Sequence, residues 1–334
     1  MPTRRAVLGA LAAVACARPR AGDSADTAAK APVLPGDDTP LDPLPPSEDF
    51  YRVAISGFLP DAAWLAAWTL TLADDDGNEV VLTVDDLRAL GAEVQERTLA
   101  CIGGGSYRTT GNALWGARRL DDIFAAVEFA PDPRLTWLRI HGGDGYVTDL
   151  PRADLAAGLA LAWEMNGAAL PAEHGAPVRA LVPGRFGMKN PKWITRIEVV
   201  EAFEPGVWES RGWSQDAEYL VQSWFVTPTY GDTLTTRGAW AKGIAFAGER
   251  GVSRVELSLD NGATWESAEI TYAGGAGVWT LWRFELGVLS VGPLSLRVRA
   301  TTLDGEVQAQ TEDYDVDLDG LEAWDLAVVE VIEG

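Results

Sequence analysis

The chain has 334 residues, 47% of them hydrophobic, which is room for two ordinary domains each with its own core. Its 49 acidic residues against 27 basic ones give a formal net charge of -22, which repels phosphate backbones and argues against nucleic acid as a partner. Of the two cysteines, Cys16 and Cys101, the first lies in a segment that reads as removable, so no internal disulfide is expected and the cores must hold the fold.

The chain opens with Arg4 and Arg5, followed by an apolar run from Ala6 to Ala15 that ends at Cys16. That run is too short to span a bilayer but suits the hydrophobic region of an export signal. A twin arginine points to the route that carries folded proteins, so residues 1–16 are expected to be a twin-arginine signal peptide and the mature protein to be periplasmic or in the cell envelope. Ala13-Val14-Ala15-Cys16 resembles a lipoprotein cleavage box, which would leave Cys16 lipidated as the chain's only membrane contact. Cleavage nearby with loss of Cys16 is the alternative. Residues 17–48, rich in Pro, Ala, Asp and Thr, read as a flexible linker.

From 49 to 210 short strands mix with short helices. Asp85 to Leu90 reads as a capped helix and Val94 to Ile102 as a strand entering a glycine turn. Leu120, Ile123, Phe124 and Val127 are spaced for the buried face of a helix, and Trp137 to Ile140 and Ile194 to Val200 read as strands. Residues near 205–217 read as a linker. Over 211–334 the pattern becomes alternating strands such as Val255-Leu257-Leu259, with Asp260-Asn261-Gly262 as a hairpin turn, which predicts a β-sandwich. The fold class expected is therefore α+β.

Two local signals carry chemistry. His174 to Ile197 holds no Asp or Glu but contains Arg179, Arg185, Lys189, Lys192 and Arg196, a concentration of positive charge that suggests a bound anion. A basic surface loop paired with acids elsewhere is the competing explanation. Cys101, in Thr98-Leu99-Ala100-Cys101-Ile102-Gly103-Gly104-Gly105, sits where a strand gives way to glycines, so a ligand can approach its soft sulfur; a buried structural cysteine is the alternative. His141 and His174, the only histidines, form no zinc motif, and no nucleophile elbow, phosphate-binding P-loop or dinucleotide fingerprint is present.

Several motifs resemble those of the sulfite oxidase family. Ala162-Trp163-Glu164-Met165-Asn166-Gly167, Leu170-Pro171 and His174-Gly175-Ala176-Pro177-Val178-Arg179 are similar to its "AYEMNG…LP…HGxPxR" core, and Val182 to Trp193 to its "VPGxxGxxxxKW" segment. Thr98 to Cys101 resembles its "TLxC" metal-ligand motif, Asp49 to Arg52 its entry motif, and Val255 to Trp265 its "VxVSxDGGxTW" strand pair. The likeness runs in order from about 49 to 331. It implies a mixed α/β molybdopterin-binding catalytic domain of the sulfite oxidase fold over 49–210, followed by an immunoglobulin-like β-sandwich of the dimerisation type over 211–334. It further implies a molybdenum–molybdopterin cofactor with Cys101 as the metal's protein ligand, and Tyr51, Arg52, Asp144, His174, Arg179, Asn190 and Lys192 around the pterin and its phosphate. Arg52, Tyr146 and Arg108 would face the substrate. The implied reaction is oxygen-atom transfer between water and a small molecule, with a two-electron cycle of the metal. No haem is expected in this chain, so electrons would pass to a separate carrier, a cytochrome or a membrane haem or quinone protein, and a homodimer is implied.

The chain departs from the family where an anionic substrate is gripped. Gly103, Gly104, Gly105 and Ser106 stand where an arginine pair follows the cysteine, Asp317-Leu318-Asp319-Gly320 replaces an "NLRG" segment, and Ser210 takes the place of the substrate tyrosine. Loss of two buried arginines weakens a doubly charged oxyanion by several kcal/mol, which points away from sulfite. Sulfite oxidation with Arg108 and Arg185 substituting, and an inactive lipoprotein keeping the fold as a binding module, are the alternatives.

Overall fold

Alternating burial along the strands, and short capped helices between them, fold the chain into two compact units in the computed structural model, which describes residues 37–103, 106–237, 239–310, 318–320 and 323–334. Arg4, Arg5, Cys16 and the first part of the expected linker lie outside the described residues, as do Gly104, Gly105 and Asp317.

The first unit comprises Arg52–Ile102 and Ala113–Glu218. Its five-stranded sheet has the order β2 (Glu79–Leu82), β1 (Leu70–Asp74), β10 (Ile194–Val200), β5 (Trp137–Gly142), β6 (Val147–Pro151). Only β1 and β10 run parallel; the other neighbours are antiparallel. A second sheet joins β3 (Glu93–Ala100), β4 (Thr110–Arg119), β7 (Ala160–Met165) and β8 (Ala168–Ala169), with β9 (Arg179–Leu181) also on β7. The helices are α1 (Ala62–Ala67), α2 (Val84–Ala89), α3 (Leu120–Ala126) and α4 (Asp154–Ala157). Thr83 and Asp86 form a reciprocal capping box, so α2 starts at Val84, one residue before the expected boundary. Leu120, Ile123 and Phe124 turn inward from α3 as their spacing predicts and join Leu70, Leu72, Leu138, Ile140, Ile197 and Val199 in one core.

The expected linker at 205–217 is instead part of this unit. It straps the edge strand β6: Val207 N–H donates to Val147 C=O at 3.0 Å, and Phe186 N–H donates to Ala217 C=O at 2.8 Å. A polar, proline-containing sequence reads as loose, yet its backbone groups are satisfied by the sheet edge it covers.

The second unit holds, among the described residues, 37–51 together with stretches from 103–112 and 219–334. Two sheets form the predicted sandwich, β11 (Gln222–Thr227), β13 (Trp240–Phe246), β17 (Thr280–Glu285), β16 (Glu269–Ala273) and β12 (Thr233–Thr235), β19 (Asp325–Ile332), β18 (Gly292–Thr302), β14 (Val252–Ser258), β15 (Glu266–Ser267). Asn261 and Gly262 take φ of 59° and 100° at the expected hairpin turn. Residues 37–48 differ from the flexible linker expected for them. Pro43 C=O accepts from Asn112 Nδ2 at 2.9 Å and Trp279 Nε1 at 3.2 Å, and Thr39 C=O accepts from the buried Lys242 ammonium at 2.6 Å.

Gly243, mid-strand in β13, lies where a Cβ would stand 2.0 Å from Trp224 O and 2.3 Å from the Trp282 ring. Neither a strand backbone nor a fully buried indole can yield that space. Gly243→Ala should destabilise the protein by about 3 kcal/mol or more, read from chemical denaturation.

Candidate functional site

Cys101 is the first residue beyond β3, in no disulfide among the described residues and partly exposed, while Ala100 and Ile102 on either side are buried. Among the described residues no three His, Cys, Asp or Glu side chains gather to hold a metal.

The acid-free stretch is folded as a sequence of tight turns. A single 3-10 turn, Ala172–His174, ends on Gly175, whose φ is 118°. A Cβ at Gly175 would stand 2.9 Å from Arg179 Cβ and 3.2 Å from Lys192 Cβ and Cγ, so only glycine lets those two cationic side chains lie side by side. His174 is buried, and its carbonyl accepts from Arg179 Nη1 at 3.0 Å. Arg179 is also buried, donates to Asn190 C=O at 3.3 Å, and lies 5.0 Å from the centre of the Trp115 ring.

Lys192 completes this cluster. Its ammonium donates to Glu173 C=O at 3.1 Å and stands 4.2 Å from the Trp193 ring centre, with no ion pair among the described residues. Burial, and then the like charges of Arg179 and Arg52, pull its pKa from 10.5 down to about 7, although Asp144 and Glu173 act the other way. Trp193 is held at φ 54°, a conformation costly for a bulky side chain, by Nε1 donating to Ala172 C=O at 2.6 Å and by edge contact with Phe58. Arg52 pairs with Glu173 at 3.0 Å, and both side chains are partly open to solvent.

Other basic residues of the stretch pair with acids outside it. Arg185 forms a bidentate pair with Asp154 at 2.7 and 3.0 Å and donates to Asp216 C=O at 2.6 Å. Lys189, fully buried, pairs with Glu209, and Arg196 pairs with Glu198 and Glu79. Pairing with acids elsewhere therefore accounts for Arg185, Lys189 and Arg196. Arg185 is committed to Asp154, which removes it as a substitute for a missing substrate arginine.

Asn190 also differs from expectation. Its Oδ1 accepts from Val182 N–H at 2.7 Å and its Nδ2 donates to the carbonyls of Arg185 and Phe186, so the amide clips its own loop rather than facing a cofactor. Tyr146 is buried with its hydroxyl donating to Met188 C=O at 2.6 Å; burial first, then the charges of Glu209 and Asp144, hold its phenol well above the ordinary range. Asp144 receives Tyr146 N–H at 3.0 Å and so shapes the turn into β6. Tyr51 and Arg108 belong to the second unit, where Tyr51 stacks on Phe50 at 5.2 Å and Arg108 lies 5.3 Å from the Tyr107 ring centre. The motifs gave no sign of Glu209 and Thr148, which surround the Lys189 ammonium.

The arrangement fits a cofactor with a phosphate arm and its own metal donors. A partly buried anion beside Lys192 and Arg179 would relieve the repulsion that depresses Lys192, and a single thiol suffices where other sulfurs come from the cofactor.

Comparison with known proteins agrees. An oxidoreductase molybdopterin binding domain matches residues 57–208, and a Mo-co oxidoreductase dimerisation domain matches residues 214–324. The mitochondrial sulfite oxidase of Macaca fascicularis is 29% identical over 71% of this chain and 52% of its own length. The sulfite oxidase of Arabidopsis thaliana is 27% identical over 69% of this chain and 71% of that protein. The chain spans about half the length of the mitochondrial sulfite oxidases it matches. Among solved structures, the sulfane dehydrogenase SoxCD from Paracoccus pantotrophus shares the fold, with a TM-score of 0.66 and 21% identity over 80% of this chain and 78% of that one. With both domain models matched in order along 57–324, this chain belongs to the sulfite oxidase-type family of molybdopterin-dependent oxidoreductases.

Proposed function

We propose that the chain transfers an oxygen atom between water and a small neutral or weakly charged substrate, with Cys101 as the metal ligand and Lys192 and Arg179 receiving the cofactor's phosphate. When bound, the molybdenum centre supplies the two-electron redox change of that reaction. The observation that carries the reading is Lys192, a cation in a partly buried place beside Arg179 and Arg52, with its pKa drawn down to about 7. Such a group is stressed until an anion arrives. Arg179, tied to the His174 and Asn190 carbonyls, presents a fixed guanidinium to that anion, while Gly175 sets its distance from Lys192.

The substrate class follows from the missing arginines and from Arg185 being paired with Asp154. An oxygen-transfer reductase acting on an S-oxide fits as well as an oxidase. Export by the twin-arginine route, with or without lipid at Cys16, rests on Arg4, Arg5 and Ala13 to Cys16. Electrons would pass to or from a separate carrier, and the match to a dimerisation domain supports a homodimer.

Protein made in a host with an intact pterin pathway should hold one molybdenum per chain, and Cys101→Ser should lose turnover while keeping its fold by circular dichroism. Wild-type activity in that variant would remove Cys101 from the site. Sulfite should give no turnover while a panel of S-oxides and neutral sulfur compounds contains a substrate; rapid sulfite oxidation would overturn the neutral-substrate reading.

Lys192 makes a signed prediction. In metal-free protein its pKa is about 7 folded against 10.5 unfolded, so the unfolded chain holds more protons between those values and stability rises with pH across that window. Lys192→Met should flatten that rise, leave the metal-free protein at least as stable at neutral pH, and lower molybdenum content roughly tenfold or more. Inorganic phosphate should bind with proton uptake and more weakly as pH rises through about 7, measured by calorimetry in two buffers of different ionisation enthalpy.

Replacing Arg4 and Arg5 together with lysine should strand the protein in the cytoplasm by fractionation. Normal export would exclude the twin-arginine route.

A further inference from the structure

The proposed reaction moves protons as well as electrons. Oxidising a substrate X with an oxygen atom from water follows X + H2O → XO + 2H+ + 2e−; the electrons go to the separate carrier, and the protons must reach solvent. Reduction of an S-oxide runs the same balance in reverse and needs protons delivered.

Glu209 stands between the buried interior and a solvent cavity. It lies in the strap that wraps β6, and its side chain is almost fully buried against Lys189. Glu209 Oε1 accepts from the Lys189 ammonium and from Thr148 Oγ1, the latter at 2.8 Å, while Lys189 also donates to Thr148 Oγ1 at 3.1 Å and Asp149 C=O at 3.0 Å. Glu209 Oε2 is buried with no hydrogen-bond partner among the described residues. A carboxylate oxygen in that condition is costly unless a proton or a water visits it. On the interior side Tyr146 lies within electrostatic reach of both Glu209 and Cys101.

On the other side is a cavity of about 480 Å³ lined by Arg139, His141, Glu198, Glu204, Gly206 and Ser210, among others. It sits on the opposite face of the sheet from Thr148, since His141 and Arg139 pair with Val147 and Asp149 and alternate with Ile140 and Thr148. Its walls are charged and polar: His141 Nε2 lies 2.8 Å from Glu198 Oε2, and Arg139 contacts Glu204 at 3.2 Å and Asp149 at 2.9 Å. The partition is thin. A Cβ at Gly206, a cavity-lining residue, would stand 2.9 Å from Glu209 Oε2 and 2.2 Å from Val147 O, so no side chain can thicken the wall there.

We propose that Glu209 is the proton port of this enzyme: Oε2 takes a proton from the cofactor side and releases it to water in the cavity beyond Gly206, or the reverse. Lys189 and Thr148 hold Oε1 and leave Oε2 as the carrier. The kinetic role rests on the oxidoreductase reading above; the proton exchange itself does not.

Glu209→Gln keeps the volume and an acceptor for Lys189 but cannot carry a proton. With molybdenum content equal to wild type, kcat should fall about tenfold or more at unchanged KM, its solvent deuterium isotope effect should rise, and formate should restore the rate in proportion to its concentration. Glu209→Asp should recover part of the rate. In metal-free protein, the infrared carboxyl band that Glu209→Gln removes should respond to acidification within the mixing time, and Val207→Trp, which narrows the cavity, should slow that response. An unchanged kcat and isotope effect in Glu209→Gln, or a band that titrates only on unfolding, would overturn the proposal. Should Glu209→Gln not fold, the Lys189→Met/Glu209→Gln pair removes both buried charges and answers the same question. Absence of turnover in the wild type would sink the oxidoreductase reading alone and leave the infrared result to decide the port.

Discussion

The chemistry of the first unit turns on two cations brought side by side over Gly175. Two positive groups at close range in a partly buried setting repel, and each has lost part of its hydration. The backbone holds Arg179 with the carbonyls of His174 and Asn190. Lys192 is given one carbonyl and an indole face. In the proposed function, an anion placed beside both groups would offset that repulsion. The left-handed Trp193 belongs to the same account, since strain beside a ligand group persists only where surrounding bonds over-determine it.

Around that centre the chain separates stressed charges from quiet ones. Arg185 with Asp154, and Lys189 with Glu209, are buried pairs that fix loops; breaking one partner leaves a lone charge in a poor solvent. Asn190 fastens the loop between them with three hydrogen bonds. The pocket's shape thus depends on polar groups that never face a ligand. In a protein without an internal disulfide among the described residues, such pairs and the two apolar cores carry the rigidity.

The strands, the capped α2 and the inward face of α3 were legible because period and capping are local properties of Thr83 to Ala89 or Leu120 to Ala126. Cys101, Arg179 and Lys192 were singled out by motif likeness and by a run without acids. What was not legible was long-range pairing. Glu209 lies twenty residues beyond Lys189 in a stretch whose composition reads as a connector, and only the fold shows that it straps β6. Asn190 misled for a related reason: the same amide can hold a ligand or a backbone, and composition does not distinguish them.

The pull on Lys192 also bears on the life of the polypeptide before it is loaded. A state that gains stability only when its ligand is in place opens more often without it, in proportion to the missing binding free energy. Proteases that cleave opened molecules sample that difference directly. If the anion proposed for Lys192 binds there, loaded copies would open less often than unloaded ones and would be cleaved more slowly.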